Sequence, residues 1–176
     1  MKERVLYDIN QIYKNGSVEY TLNKYVNRDH WVSKFKSVFT ENHIENLTDF
    51  NYSKCFTMCI NISPTNENIG TEKFGDYIKK EFILDRVEVQ ISAVAPYATF
   101  RYIRYEYRNE EINYSDSFKA YKEQDSIIGN NVTNFLISNN LIILDPDILS
   151  IEVPEVTLEL REENVTVYHC LFEDGY

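Results

Sequence analysis

Hydrophobic spacing along the chain switches between a period of two and a period near 3.6, and the switches mark its elements. Phe56, Met58, Ile60 and Ile62 alternate with Cys55, Thr57, Cys59 and Asn61, which predicts a strand over 55–62. Val87, Val89, Ile91 and Ala93 alternate with Arg86, Glu88, Gln90 and Ser92, the pattern of a half-buried strand. Pro96 interrupts this run because proline cannot donate to a ladder, and a second strand, rich in arginine and tyrosine, follows over 97–108. Helical spacing appears at Trp31, Phe35, Val38 and Phe39, with Asp29 placed to cap and Lys34 and Lys36 on the other side. A short helix is predicted around Phe74, Tyr77 and Ile78. A longer stripe, Phe118, Tyr121, Ile128, Val132, Phe135 and Leu136, spans 118–139 and ends at Asn139-Asn140.

The remaining segments are read from turn chemistry. Asn15-Gly16 signals a hairpin and Val18, Tyr20 and Leu22 alternate after it, predicting a strand over 18–26; residues 4–13 fit either a helix or a strand. Ser63 to Gly70 is a polar loop, and Glu110 to Asp116 a polar turn. Asp145-Pro146-Asp147 has the form of a cap followed by proline at the first helical position, so 146–150 is one short helical turn. Val156, Leu158 and Leu160 alternate, Arg161 to Asn164 turns, and Val165, Val167, His169 and Leu171 alternate back, which predicts a C-terminal β-hairpin. Strands and helices without regular alternation give an α+β fold: a largely antiparallel sheet with amphipathic helices packed on it, in a single globular domain over residues 1–176.

Charge narrows the partners. The net charge is −10 and the pI about 4.8, the reverse of what phosphate binding draws on, so neither nucleic acid nor an anionic membrane surface is expected. A basic protein partner is compatible with it. No apolar run approaches the ~18 residues of a membrane span, and the first residues turn polar too early for a secretory leader. Cys55, Cys59 and Cys170 are an odd number, and together these features predict a reducing cytoplasm.

Catalytic and metal signatures are missing from the sequence. Cys55 and Cys59 on one strand face stand about 13 Å apart, too far for a shared tetrahedral ion, and His169 and Cys170 point to opposite faces. There is no Gly-x-Ser-x-Gly, no His-Glu-x-x-His and no phosphate-binding glycine loop, so no cofactor and no metal are expected. Acidic pairs such as Asp145 with Asp147 and Glu162 with Glu163 sit in turns, where solvated carboxylates are ordinary. In the strand over 97–108 both faces begin apolar and end charged. Residues 97–103 therefore read as core, and at the emergent end the arginines are expected to pair with the protein's own carboxylates, the alternative being a contact surface at Arg104, Tyr105, Tyr107 and Arg108.

The last third contains Val132 to Leu136, Asp145 to Leu149, Val153-Pro154-Glu155-Val156 and Val165 to Asp174, ending in a Leu-Phe strand. In these segments the chain resembles the small bacterial immunity proteins of polymorphic toxin systems. The resemblance implies a small, acidic, cytoplasmic protein that occludes the active site of a toxin encoded beside it. The expected function is a non-enzymatic protein-binding module of this inhibitor type. Its contacts would come from Asp145, Asp147, Glu152, Glu155, Glu162 and Glu163, joined by the Arg104 to Arg108 end of the strand. The rival readings are a phage or host accessory protein that binds another protein, and a small carboxylate-dependent hydrolase.

Overall fold

The structure, a computed structural model, describes residues 1–14, 27, 29–51, 53–154 and 156–173. The strand expected over 18–26 and its Asn15-Gly16 turn lie outside the described residues, as does Glu155.

Among the described residues six strands form one mixed, mostly antiparallel sheet. β1 (Ile44–Asn46), β2 (Cys55–Asn61), β3 (Ile83–Ser92), β4 (Tyr97–Arg108) and β5 (Glu111–Ser117) neighbour one another in that order, all antiparallel. β6 (Ile142–Ile143) lies parallel to the start of β4, beside Tyr97 and Ala98. The helices are α1 (Lys2–Lys14), α2 (Val32–Val38), α3 (Glu72–Glu81), α4 (Glu123–Ser138), α5 (Pro146–Leu149) and α6 (Val167–Leu171). The α+β reading of the sequence is correct.

One sheet face is apolar and is covered by α2 and α4. Phe56, Met58, Ile60, Val87, Val89, Ile91, Ala98 and Tyr102 pack there against Trp31, Phe35, Phe39, Val132, Phe135 and Leu136. The rings of Phe35 and Phe135 meet at 4.4 Å. Val38, expected inside, is exposed, because Trp31, Phe35 and Phe39 already fill the inward stripe. Asp29 does not cap α2 through its side chain; the helix is entered from Trp31. α4 starts only at Glu123, where Asp125 accepts from the Lys122 backbone N–H at 3.1 Å, so Phe118 and Tyr121 precede the helix and Phe118 is exposed.

The opposite face carries apolar cover at both ends and polar side chains between. At one end α1, α5 and α6 bury Val5, Ile9, Leu149, Val167, Cys170, Leu171 and Phe172 over Cys55 and Tyr97. This settles residues 4–13 as helix, with Val5 and Ile9 inward and the Tyr13 hydroxyl donating to the Cys170 carbonyl at 2.8 Å. At the other end α3 lays Phe74 and Ile78 over Leu84, with Tyr105 and Tyr107 packed alongside. In the middle, cross-strand register aligns Thr57, Gln90 and Thr99 in one row, Glu45, Cys59, Glu88 and Arg101 in the next, and Asn61, Arg86 and Ile103 in a third. β3 is thus buried on both faces along most of its length, where its alternation predicts one wet face.

Two expectations are overturned. The polar turn at 110–116 is instead β5, joined to β4 through Asn109 and Glu110, both at positive φ as a tight hairpin turn requires. Its residues are almost all exposed, so burial gives it no hydrophobic stripe to read. The C-terminal hairpin does not form. Residues 167–171 are helical because Val167, Cys170 and Leu171 also fit i, i+3, i+4 spacing, and all three are buried, which a period of two cannot achieve. The Thr166 backbone N–H donates to His169 Nδ1 at 3.0 Å and closes the helix start. What survives of the hairpin is a short antiparallel contact, with Val153 N bonding Val165 O and Val167 N bonding Ile151 O. Among the described residues no helix is long and apolar enough to cross a membrane.

Candidate functional site

Acidic side chains concentrate where the chain is least regular. Asp145 accepts from Ile148 N at 2.9 Å and, with Pro146 behind it, starts α5; Leu149 anchors that turn in the core while Asp147 stays exposed. From Ile151 the chain runs beside 165–167, then folds back through a tight turn in which Leu158 and Arg161 bond each other's backbone at 2.9 and 3.2 Å. Val153, Val156, Leu158 and Val165 point into the core. Glu152, just before them, and Glu159, Glu162 and Glu163, between them in sequence, are exposed.

Glu152, Val153, Pro154, Val156, Glu162, Asn164 and Val165 line a shallow hollow of about 370 Å³. Its buried members are valines, and its carboxylates come from both sides of the loop. Among the described residues neither Glu152 nor Glu162 has an ion-pair partner. The arrangement suits a long cationic side chain, whose methylene stem can lie on valine while its head meets carboxylate.

The Arg/Tyr end of β4 belongs elsewhere. Leu144 N bonds the Ala98 carbonyl, so the segment leading into α5 leaves from the start of β4. Arg104 lies six residues further along, about 20 Å at the rise of a strand. Tyr105 and Tyr107 pack in the cluster under α3, whereas the valines of the acidic loop pack in the cluster under α1 and α6. The single contact surface expected from the sequence is therefore two separate regions.

The arginines of β4 meet the protein's own carboxylates. Arg104 holds Asp85 with two bonds of 2.7 and 3.0 Å, Lys122 Nζ donates to the same carboxylate at 2.9 Å, and the Arg104 guanidinium lies 4.3 Å from the Tyr121 ring centroid. Burial alone would raise the Asp85 carboxyl, but the two cations outweigh it and hold it below the ordinary carboxylate range. Arg108 pairs with Glu106 at 2.8 Å at the exposed strand end. Arg101 bonds Glu88 at 2.8 Å and approaches Asp116 at 3.5 Å. Tyr105 meets the rings of Phe74 and Tyr114 edge-on at 5.1 and 5.6 Å, and burial pushes its hydroxyl up to about 12.

The polar rows of the sheet escape a reading by periodicity. Arg86 is fully buried, paired with Glu45 at 2.5 Å and 5.7 Å from the Phe74 ring centroid, and its Nε and Nη1 have no partner. Gln90 Nε2 donates to Glu173 Oε1 at 2.7 Å and to the Tyr168 hydroxyl at 3.2 Å. Burial, then the charge of Glu88, raises the Glu173 carboxyl. Burial likewise pushes the thiols of Cys55, Cys59 and Cys170 up to about 12, so they are protonated at neutral pH and act as small packing groups. No known protein family, curated protein or solved structure matches this chain. Function is argued from its own surface.

Proposed function

We propose that the chain is a non-enzymatic protein-binding module of the immunity type, which docks its 145–163 loop on a basic partner domain and covers it. The observation that carries the reading is the valine-lined hollow edged by the unpaired carboxylates Glu152 and Glu162. Between positions 145 and 163 the sequence carries seven acidic residues and only one cation, Arg161. An exposed Leu160 adds apolar area beside the charge. Interfaces of this make-up use carboxylates to steer the encounter and set orientation, and a central apolar site to hold the partner's anchor residue. A reducing cytoplasm is the compartment that fits the three free thiols.

The test is co-expression with the product of the adjacent gene, followed by stopped-flow association of the purified pair. Rescue of growth and an association rate that falls steeply with salt are expected. Reversing Glu152, Glu162 and Glu163 to lysine slows association by roughly tenfold or more at low salt. Unchanged association by the triple variant refutes the assignment of the surface.

A further inference from the structure

A second concavity, sharing no residue with the acidic loop, opens where the sheet meets the start of α4. It encloses about 500 Å³ between Glu41, Asn42 and His43 before β1, Asn61 to Asn66 after β2, and Gln124, Ile127 and Ile128 on the first turns of α4. That is the size range of a small-ligand site.

Its walls are held from behind. Asn61, only 1 % exposed, donates from Nδ2 to the Thr65 carbonyl at 2.7 Å; its own carbonyl accepts from Asn42 Nδ2 at 2.8 Å, and its backbone N–H reaches His43 O at 3.0 Å. Ser63 Oγ accepts from Asp85 N at 2.9 Å, and His43 Nε2 meets Asn68 Oδ1 at 2.7 Å. The loop over 62–66 is thereby fixed to β2 and β3. By contrast the side chains of Glu41, Asn66 and Gln124 make no hydrogen bond or ion pair among the described residues. Asn61 Oδ1, buried among the lining residues, also lacks a partner.

The chemistry of the lining selects a ligand class. The side chains open to a ligand are the amides of Asn66 and Gln124 and the carboxylate of Glu41, and no lysine or arginine lines the pocket, so phosphate and carboxylate ligands find no counter-charge. Amides both donate and accept, and a carboxylate accepts from two neighbouring hydroxyls, the complement of adjacent hydroxyl groups on a ring. Ile62, Pro64, Ile127 and Ile128 supply an apolar wall for the ring itself, and Ile127 is otherwise a large apolar residue left 59 % exposed on a helix.

We propose that this pocket binds an uncharged ring ligand through its vicinal hydroxyls, either a pyranoside or the ribose of a nucleoside. The two sources share the chemistry and are separated by the probes. The full chain, ¹⁵N-labelled, is titrated with methyl α-glucopyranoside, uridine, 2′-deoxyuridine and inorganic phosphate, each to about 10 mM, the range where weak small-ligand binding is read. The expected result is saturable movement of the Asn66 and Gln124 side-chain amide signals with either the glucoside or uridine, and at least about fivefold weaker response to 2′-deoxyuridine if uridine is the binder. Gln124→Ala and Asn66→Ala, both exposed and outside the core, weaken the response by about fivefold or more while the remaining spectrum stays unchanged. Absence of movement with both neutral probes, movement with phosphate instead, or an equal response in the variants overturns the proposal.

Discussion

Removing the carboxylate of Glu45 should cost this protein a large share of its stability. Arg86 is fully buried, and among the described residues the Glu45 carboxylate is its only hydrogen-bond and ion-pair partner, with none at Nε and Nη1. Glu45 also accepts the Ile69 backbone N–H at 3.1 and 3.2 Å, so it ties the loop before α3 to the sheet. In Glu45→Ala the guanidinium keeps its charge and loses every partner, the case in which breaking a buried pair costs about 3–5 kcal/mol. Against the roughly 5–15 kcal/mol that holds a domain of this size, that is at least about a fifth of the total. The pair itself is worth far less than its rupture. Arg86→Met with Glu45→Gln removes the charge but leaves an acceptor for Ile69, and should lie within about 2 kcal/mol of the parent. Urea unfolding followed by the fluorescence of Trp31, the single tryptophan, packed 6.1 Å from Phe135, reads both variants. A loss below about 1 kcal/mol in Glu45→Ala, or a double variant as unstable as the single one, refutes the reasoning.

Three further outcomes follow from single contacts. Asp145→Ala removes the side-chain cap of α5 and should lower stability by about 1 kcal/mol in the same urea assay, with Asp145→Asn close to the parent. Gly129→Ala should destabilise despite the better helix former, because the new Cβ would overlap the Tyr102 hydroxyl and stand 2.9 Å from its Cζ; the expected loss is about 1–3 kcal/mol, partly relieved by Tyr102→Phe. Glu173 titrates above an ordinary carboxyl through burial and the nearby Glu88, so the folded state binds the extra proton and stability falls as pH rises from the unfolded to the folded titration. Glu173→Gln, which keeps the acceptor for Gln90, should therefore be more stable than the parent at pH 7 and lose that advantage near pH 4 in paired unfolding curves; an advantage independent of pH would contradict the assignment.

The sequence was legible where a single period matched a single burial pattern. β2, β4 and α3 lie where their spacing puts them, and α4 does so from Glu123 onward, because each meets a core and no second reading fits. It misled where burial and periodicity part company. β3 alternates as though one face were wet, yet α3 and the Tyr168 to Glu173 end of the chain cover that face, and Arg86 and Gln90 are buried with their polar partners. β5 is exposed on both faces and so left only Ile112 and Tyr114 as a strand signal. Residues 165–171 satisfy both periods, and burial of Cys170 decided for helix. For the candidate site, the acids were visible as composition, but their joining with Arg104 to Arg108 was not, since spacing within strands carries no information on which loops share an end of the sheet.

The pairing of charges explains why the acidic loop is the surface to which function is assigned. Across the sheet, carboxylates are matched: Glu45 meets Arg86, Asp85 meets Arg104 and Lys122, and Glu88 and Asp116 meet Arg101. Five of the protein's 18 cationic side chains, counting Arg108 with Glu106, are thus engaged by acids of β1, β3, β4 and β5. They leave little unmatched charge on that part of the molecule. Between 145 and 163 the balance is the opposite, with seven acids to one arginine, and more than half of the net charge of −10 arises there. A surplus spread evenly over the surface would serve solubility alone. A surplus concentrated in one segment of the chain, with Glu152 and Glu162 at an apolar-lined hollow, produces a directed field, and the docking of a basic partner proposed above rests on that field.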